Sequence, residues 1–366
     1  MYQGVQQYGG EIMADNKYRN LNNEEYWIKR TEERVNKHWK NIKNVEKELA
    51  KQYRTALEDI RQLISDLYTK YAKDNAISYQ DAVKELTRVE MNDYHNQMQG
   101  NKPQLRQTGN DEIINEHEKL EKSTKLSRLQ ALMNQIMDRM LMLGHTEQVT
   151  MTDWLEDLYE DNYYQTIHSV QVGIGMGISF ALLDEDRITQ AITHPWSGDM
   201  FSSRIWDNKD WLVKSLRQTL IQGFIKGDSV QDMARKLSKE MDSGYAQSLR
   251  LVHTESAHVI GESTAQGYAE SKYVDQYIIL ATLDRRTSSI CRKQDNKVYK
   301  LSERQVGVNA SPFHPFCRST EAVYFGDDDS EVGERIAREE SGKTYKVPAN
   351  MNYSEWYNKY VNKGVA

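Results

Sequence analysis

The chain has 366 residues, 28% of them charged, with a net charge of −6 and a mean hydropathy of −0.80. These values exclude a bilayer span and a global attraction to nucleic acid, because the longest apolar stretch, residues 172–183, is short and broken by glycines. The length allows two or three domains, and so polar a chain has a thin core relative to its surface, as an elongated helical body does.

Residues 1–20 read as a flexible N-terminus. No charged n-region precedes an apolar run, so no secretory signal is expected, and two cysteines in such a chain argue for a reducing compartment during synthesis. Gly9-Gly10-Glu11 ahead of Met13-Ala14-Asp15 reads either as a ribosome-binding sequence before an internal start or as ordinary flexible chain.

Residues 21–145 read as a long-helix region. Val45, Leu49, Tyr53, Leu57, Ile60, Ile64, Leu67 and Tyr71 recur every three or four residues, the spacing of one helical face. Lys29, Arg30, Arg34, Lys37, Lys40, Lys43 and Lys47 lie on other faces and are candidate contacts to DNA phosphates. A solvated face of mixed sign, with Glu32, Glu33, Glu46 and Glu48 interspersed, is the favoured alternative. Ser78 to Asp81 looks like a helix cap. Residues 96–110, rich in Asn, Gln and Gly and containing Pro103, are expected to form a loop. Residues 111–143 return to helix, with Leu126, Leu129, Met133, Ile136, Met137 and Met140 as a core stripe.

Residues 146–270 read as a helical core. Thr150 to Asp153 opens a helix whose first turns are acidic, as the helix dipole favours. Gly173, Gly175 and Gly177 do not follow the dinucleotide-binding spacing and read as close packing or a helix break. Trp196, Phe201, Trp206 and Trp211 supply large apolar anchors. Helices are expected over 211–227, 229–241 and 245–272, with Gly227-Asp228 between the first two. His253, Glu255 and His258 form H-x-E-x-x-H and not the zinc-protease H-E-x-x-H, so a metalloprotease is set aside. Glu255 is expected to pair with Arg250 and to reach Arg286.

Residues 271–325 change period. Gln276, Ile278 and Leu280 alternate with Tyr277 and Ile279, a strand pattern; Asp295-Asn296 makes a turn into a second strand at 297–299. Both cysteines fall here, Cys291 after an Asp284-x-Arg286-Thr287 run and Cys317 after His314. So small a sheet needs bracing. A zinc ion held by Cys291, His314 and Cys317, a Cys291–Cys317 disulfide, and plain thiol packing with hydrogen bonds all remain open. Residues 326–366 read as an acidic exposed linker and a C-terminal amphipathic peptide, with Trp356, Tyr357 and Tyr360, that either binds another protein or folds back.

Thr282-Leu283-Asp284-x-Arg286-Thr287-Ser288, Cys291, Asp295-Asn296, Tyr299 and His314-Pro315-x-Cys317-Arg318-Ser319 stand in the order seen in one family. The stretch resembles the phage Mu F-like minor head proteins of tailed bacteriophages, and similarity extends over about residues 150–325. The resemblance implies a virion structural protein and not an enzyme. It implies incorporation at the capsid interior or portal region, with portal protein and capsid or scaffold proteins as partners, contact with phage DNA, and a part in ejection. Asp284, Arg286, Thr287 and Arg318, with Arg250 and Glu255, become structural motif residues. Four-cysteine members suggest a metal; Ser288 and Ser319 stand here where those carry cysteine. The alternative function is a metal-dependent nuclease or other DNA-processing enzyme built on the Cys/His module. The expected fold is mainly α, an elongated helical body with a small α+β C-terminal module.

Overall fold

The computed structural model describes residues 23–175, 179–326, 334–338, 343–348 and 351–361. The possible start at Met13, Gly177, and most of the acidic stretch from 327 to 342 lie outside them. The fold is mainly α with a small α+β part towards the C-terminus. No helix among the described residues is long and apolar enough to cross a membrane.

Two compact units are interleaved along the chain. One takes Thr152–Gly198, Arg250–Ala366 and the chain up to Lys43; the other takes Asn44–Met151 and Asp199–Leu249. Three long helices, α1 (Asn23–Tyr71), α5 (Arg128–Ile174) and α8 (Val230–Ser271), contribute residues to both. Segments close in sequence are therefore divided between units, which a reading along the chain does not reveal.

The unit of Asn44–Met151 and Asp199–Leu249 is helical. Tyr53, Ile60 and Ile64 of α1 pack with Ile136 and Met140 of α5, Leu212, Leu216 and Phe224 of α7 (Phe201–Lys226), and Met233 and Leu237 of α8. The stripe read from α1 and α5 is thus core, with Met133 and Met137 packed against it. Ser78 caps the short α2 (Tyr79–Ala82), accepting from the Asp81 N–H at 3.0 Å.

The expected loop at 96–110 is mostly helix, α3 (Arg88–Gln107), with Pro103 inside it. Thr87 and Glu90 form a reciprocal capping box, and Tyr94, Met98 and Leu105 give α3 a buried face. Burial of that face outweighs the unfavourable Asn, Gly and Pro content. α4 (Asp111–Glu121) then ends well before residue 143.

The breaks expected near residues 144–149 and 242–244 are absent, because α5 and α8 run straight through. The glycines there serve close packing. A Cβ on Gly144 would lie 2.6 Å from the Trp206 ring, and one on Gly244 would lie 2.9 Å from Leu212 Cδ2.

The other unit is α+β. β1 (Gln276–Leu280) is the centre of an antiparallel sheet, flanked by β2 (Val298–Lys300) and β3 (Thr320–Tyr324). Alternation along β1 buries both faces. Tyr277 and Ile279 pack with Tyr26, Trp27, Val170, Tyr268 and Val323, whereas Ile278 and Leu280 pack with Ile28 and Ala322. A second antiparallel pair, β4 (Glu334–Arg338) and β5 (Thr344–Pro348), replaces part of the expected linker. The Arg338 N–H bonds the Leu283 carbonyl at 3.1 Å, tying this hairpin to the segment after β1. The C-terminal peptide folds back: α10 (Tyr353–Trp356) buries Tyr353 and Trp356 with Leu283, Ala337 and Val347.

Gly173 sits near the end of α5, where a Cβ would come within 2.1 Å of the Trp27 ring and 2.6 Å of Tyr26. Trp27 is 2% exposed and has no room to retreat. Gly173→Ala is expected to cost ~1–3 kcal/mol by overpacking, read as a lowered urea midpoint with unchanged slope. A midpoint equal to wild type would show that Trp27 yields to the added methyl group.

Candidate functional site: the Cys/His module

The module is built from the end of β1 outward. Asp284 is buried and organises the turn that follows: its Oδ1 accepts from the Arg286 N–H at 2.9 Å and the Thr287 hydroxyl at 3.1 Å. Arg318 binds the same carboxylate with both terminal guanidinium nitrogens, Nη2 at 2.8 Å from Oδ1. Burial pushes the Asp284 carboxyl up, but the bonds from Arg318, Thr287 and the Arg286 N–H outweigh it and hold the group below the usual range.

This turn delivers the chain to α9 (Ser289–Gln294). Ser288 caps α9, its hydroxyl accepting from the Cys291 N–H at 3.2 Å. Cys291 is thereby placed opposite the turn His314–Cys317, which is closed by the Cys317 N–H on the His314 carbonyl at 3.1 Å. The Cys291 Sγ lies 3.1 Å from His314 Nε2 and 3.7 Å from the Cys317 Sγ. Both thiols are buried and free of a disulfide, so the disulfide scheme is not the one the fold adopts. Donation from the Cys317 thiol lowers the Cys291 pKa to about 5, against burial; the same bond, with burial, raises Cys317 well above its ordinary value.

The turn is also docked onto helices of its own unit. The Phe316 N–H donates to Thr254 Oγ1 at 3.3 Å, and the Phe316 ring meets His253, which stacks on Trp39. Phe316 has φ +59°, a left-handed conformation uncommon for a bulky residue, and remains 45% exposed.

Other sequence expectations are redistributed. The arginine that pairs with Asp284 is Arg318; Arg286 gives only its backbone N–H, and its side chain is exposed. Arg250 is exposed too, while the buried Glu255 accepts from Trp196 Nε1 at 2.8 Å. The basic stripe on α1 is not continuous. Arg34 is buried and donates to Thr264 Oγ1, Lys29 pairs with Glu25, Arg30 meets His168, and Lys37 pairs with Asp161 at 3.1 Å. Lys40, Lys43 and Lys47 are exposed.

Sequence reasoning missed the second charged cluster of this unit. Arg304 Nε donates to Glu321 Oε2 at 2.8 Å, and its Nη1 donates to Glu262. Glu321 is 2% exposed and also accepts from the Ser311 N–H at 3.1 Å. Nothing in the spacing of these residues marks them, since they come from α8, the residue after the 3-10 turn Leu301–Glu303, and β3. His253 and His258 serve different contacts, His258 stacking on Trp196 at 4.5 Å.

This unit thus combines a small antiparallel sheet with a Cys–His–Cys cluster. Residues 214–322 match the family model described as Phage Mu protein F like protein. Among individual proteins, the chain is similar to "Minor head protein GP7" of Bacillus phage SPP1. Identity is 23% over 337 residues, covering 89% of this chain and 96% of that protein. It is also similar to "NAD(+)--arginine ADP-ribosyltransferase EFV" of Enterococcus faecalis (strain ATCC 700802 / V583), 26% identical over 205 residues. That match covers 54% of this chain and 42% of the relative, so the chain spans less than half of its length. No solved structure matches.

Proposed function

We propose that the chain is a structural component of a tailed-phage head: a minor head protein that binds the portal protein, sits in the virion at the portal region or capsid interior, and takes part in DNA delivery. The observation that carries this reading is the near end-to-end similarity to a minor head protein, 89% of one chain on 96% of the other. The Phage Mu F-like match at 214–322 supports it independently. The physical character of the molecule is consistent with it. The landmarks of the module (Asp284, Thr287 and Arg318) bind one another and hold a turn, the work of structural residues.

The similarity to an arginine ADP-ribosyltransferase motivates a second reading, transfer of ADP-ribose from NAD+ to arginine. More than half of that relative lies outside the match. Incubating the purified chain with labelled NAD+ and an arginine acceptor tests it. Transfer of label would overturn the structural reading, as would metal-dependent nicking of duplex DNA.

Portal association is expected to rest on apolar contacts and therefore to persist as salt rises, whereas DNA contact would rest on exposed lysines. Co-purification of the full chain with portal rings over a salt series separates the two. Each phosphate contact steepens the log–log salt dependence of DNA binding by about 0.9. Lys40→Gln with Lys43→Gln should then flatten the slope by about 2 and leave portal capture unchanged. Loss of portal capture at moderate salt, or an unaltered DNA slope, would reassign these surfaces.

A further inference from the structure

We propose that Cys291, Cys317 and His314 Nε2 hold one zinc-class divalent ion, with a water molecule in the fourth position. The three donor atoms lie within 4.8 Å of one another, the one such cluster among the described residues. Their spacing separates the metal scheme from the disulfide. Two zinc–sulfur bonds of about 2.3 Å at a tetrahedral angle place the sulfurs about 3.8 Å apart. The observed separation is 3.7 Å. A disulfide requires about 2.05 Å. A tetrahedral sulfur–nitrogen pair would be about 3.5 Å apart, and the observed 3.1 Å lets the ion enter with a shift of a few tenths of an ångström.

The histidine is oriented for this role. His314 Nδ1 lies 2.7 Å from the Pro315 carbonyl oxygen, which can only accept, so Nδ1 carries the proton. Nε2 is left with its lone pair facing the two sulfurs, the arrangement in which an outer hydrogen bond fixes the tautomer of a metal ligand. The neighbouring shell is organised as well: Ser288 holds the Cys291 backbone, and the Asp284–Arg318 pair anchors the residue after Cys317. Thiol protons leave to solvent as the two sulfurs bind. No fourth Cys, His, Asp or Glu joins the cluster among the described residues, and His314 is only half-buried, so solvent reaches the remaining position. The ion would tie α9 to the turn ahead of β3, closing a loop between residues 26 apart in sequence.

The test uses the untagged full chain. Elemental analysis should find about one zinc per chain after dialysis. Replacement by Co2+ should give the absorption of tetrahedral cobalt with thiolate charge transfer. His314→Gln removes a half-exposed ligand and should weaken Co2+ binding on the order of 100-fold or more, since even outer-shell losses reach 10–100-fold. In the wild-type chain, Zn2+ should slow alkylation of both thiols at least about tenfold, and a chelator should restore it. A metal-free protein with no cobalt spectrum overturns the proposal. So do thiols alkylated equally fast with and without Zn2+, or an intact mass two hydrogens short, which would show a disulfide.

Discussion

Lys209→Met should destabilise the unit of Asn44–Met151 and Asp199–Leu249 by ~3–5 kcal/mol, the cost of leaving one member of a buried pair without the other. Lys209 is 2% exposed and Glu147 0%. The Lys209 ammonium contacts Glu147 and the Tyr53 hydroxyl, and Tyr53 bonds Ser248 at 2.8 Å. Asn208 donates to Tyr53 and to the Gly244 carbonyl. Residues from α1, α5, α7 and α8 thus meet at one polar point inside an otherwise apolar bundle. Burial lowers the Lys209 pKa and Glu147 opposes that shift. Methionine fills similar volume, which keeps the cavity term small. Lys209→Met combined with Glu147→Gln removes the orphaned charge and should recover more than half of the loss. Equilibrium urea unfolding of the two variants decides the point. A single-mutant loss under about 1 kcal/mol, the scale of an exposed pair, would mean that water reaches Glu147.

Much of the helical framework was legible in the sequence because it rests on local rules. The apolar repeat in α1, the Ser78 cap and the alternation in β1 each needed only a few neighbouring residues. The failures share a different cause. Gly144 and Gly244 look like helix ends but face Trp206 and Leu212, contacts that span tens of residues. The 96–110 stretch looks like a loop but buries Met98 and Leu105. In the module, Cys291, His314 and Cys317 were recognised by residue type, and the structure brings them together. Asp284, Arg286 and Arg318 were all picked out as motif residues, but not which arginine pairs with Asp284. The true partner, Arg318, lies 34 residues away, and pairing at that distance leaves no spacing to read. Helical periodicity likewise says which side chains share a face, not whether another helix covers one of them, as happens at Arg34.

Arg304→Ala should have an effect of similar size, ~3–5 kcal/mol at neutral pH, in the other unit. It should also carry a pH signature. Arg304 answers Glu321, which is buried, and Glu262, which is partly exposed. The Ser311 N–H and the backbone contact from the Tyr268 hydroxyl complete the surroundings of Glu321. Burial raises the Glu321 pKa above its ordinary 4.5, and Arg304 limits that rise. A carboxylate with a raised folded pKa binds its proton more tightly when folded, so it favours the native state at low pH. That contribution is lost as pH climbs from the unfolded value through the folded one. Without Arg304 the folded pKa moves higher still. The deficit of the variant against wild type should therefore be largest at neutral pH and narrow on acidification towards pH 4.5, as Glu321 becomes neutral in the folded variant. Glu262 can turn to water and adds little to the difference. Urea unfolding of both proteins between neutral pH and about pH 5 measures it. A deficit that stays constant, or widens in acid, would show that Arg304 stabilises the fold through packing of its side chain and not through its charge.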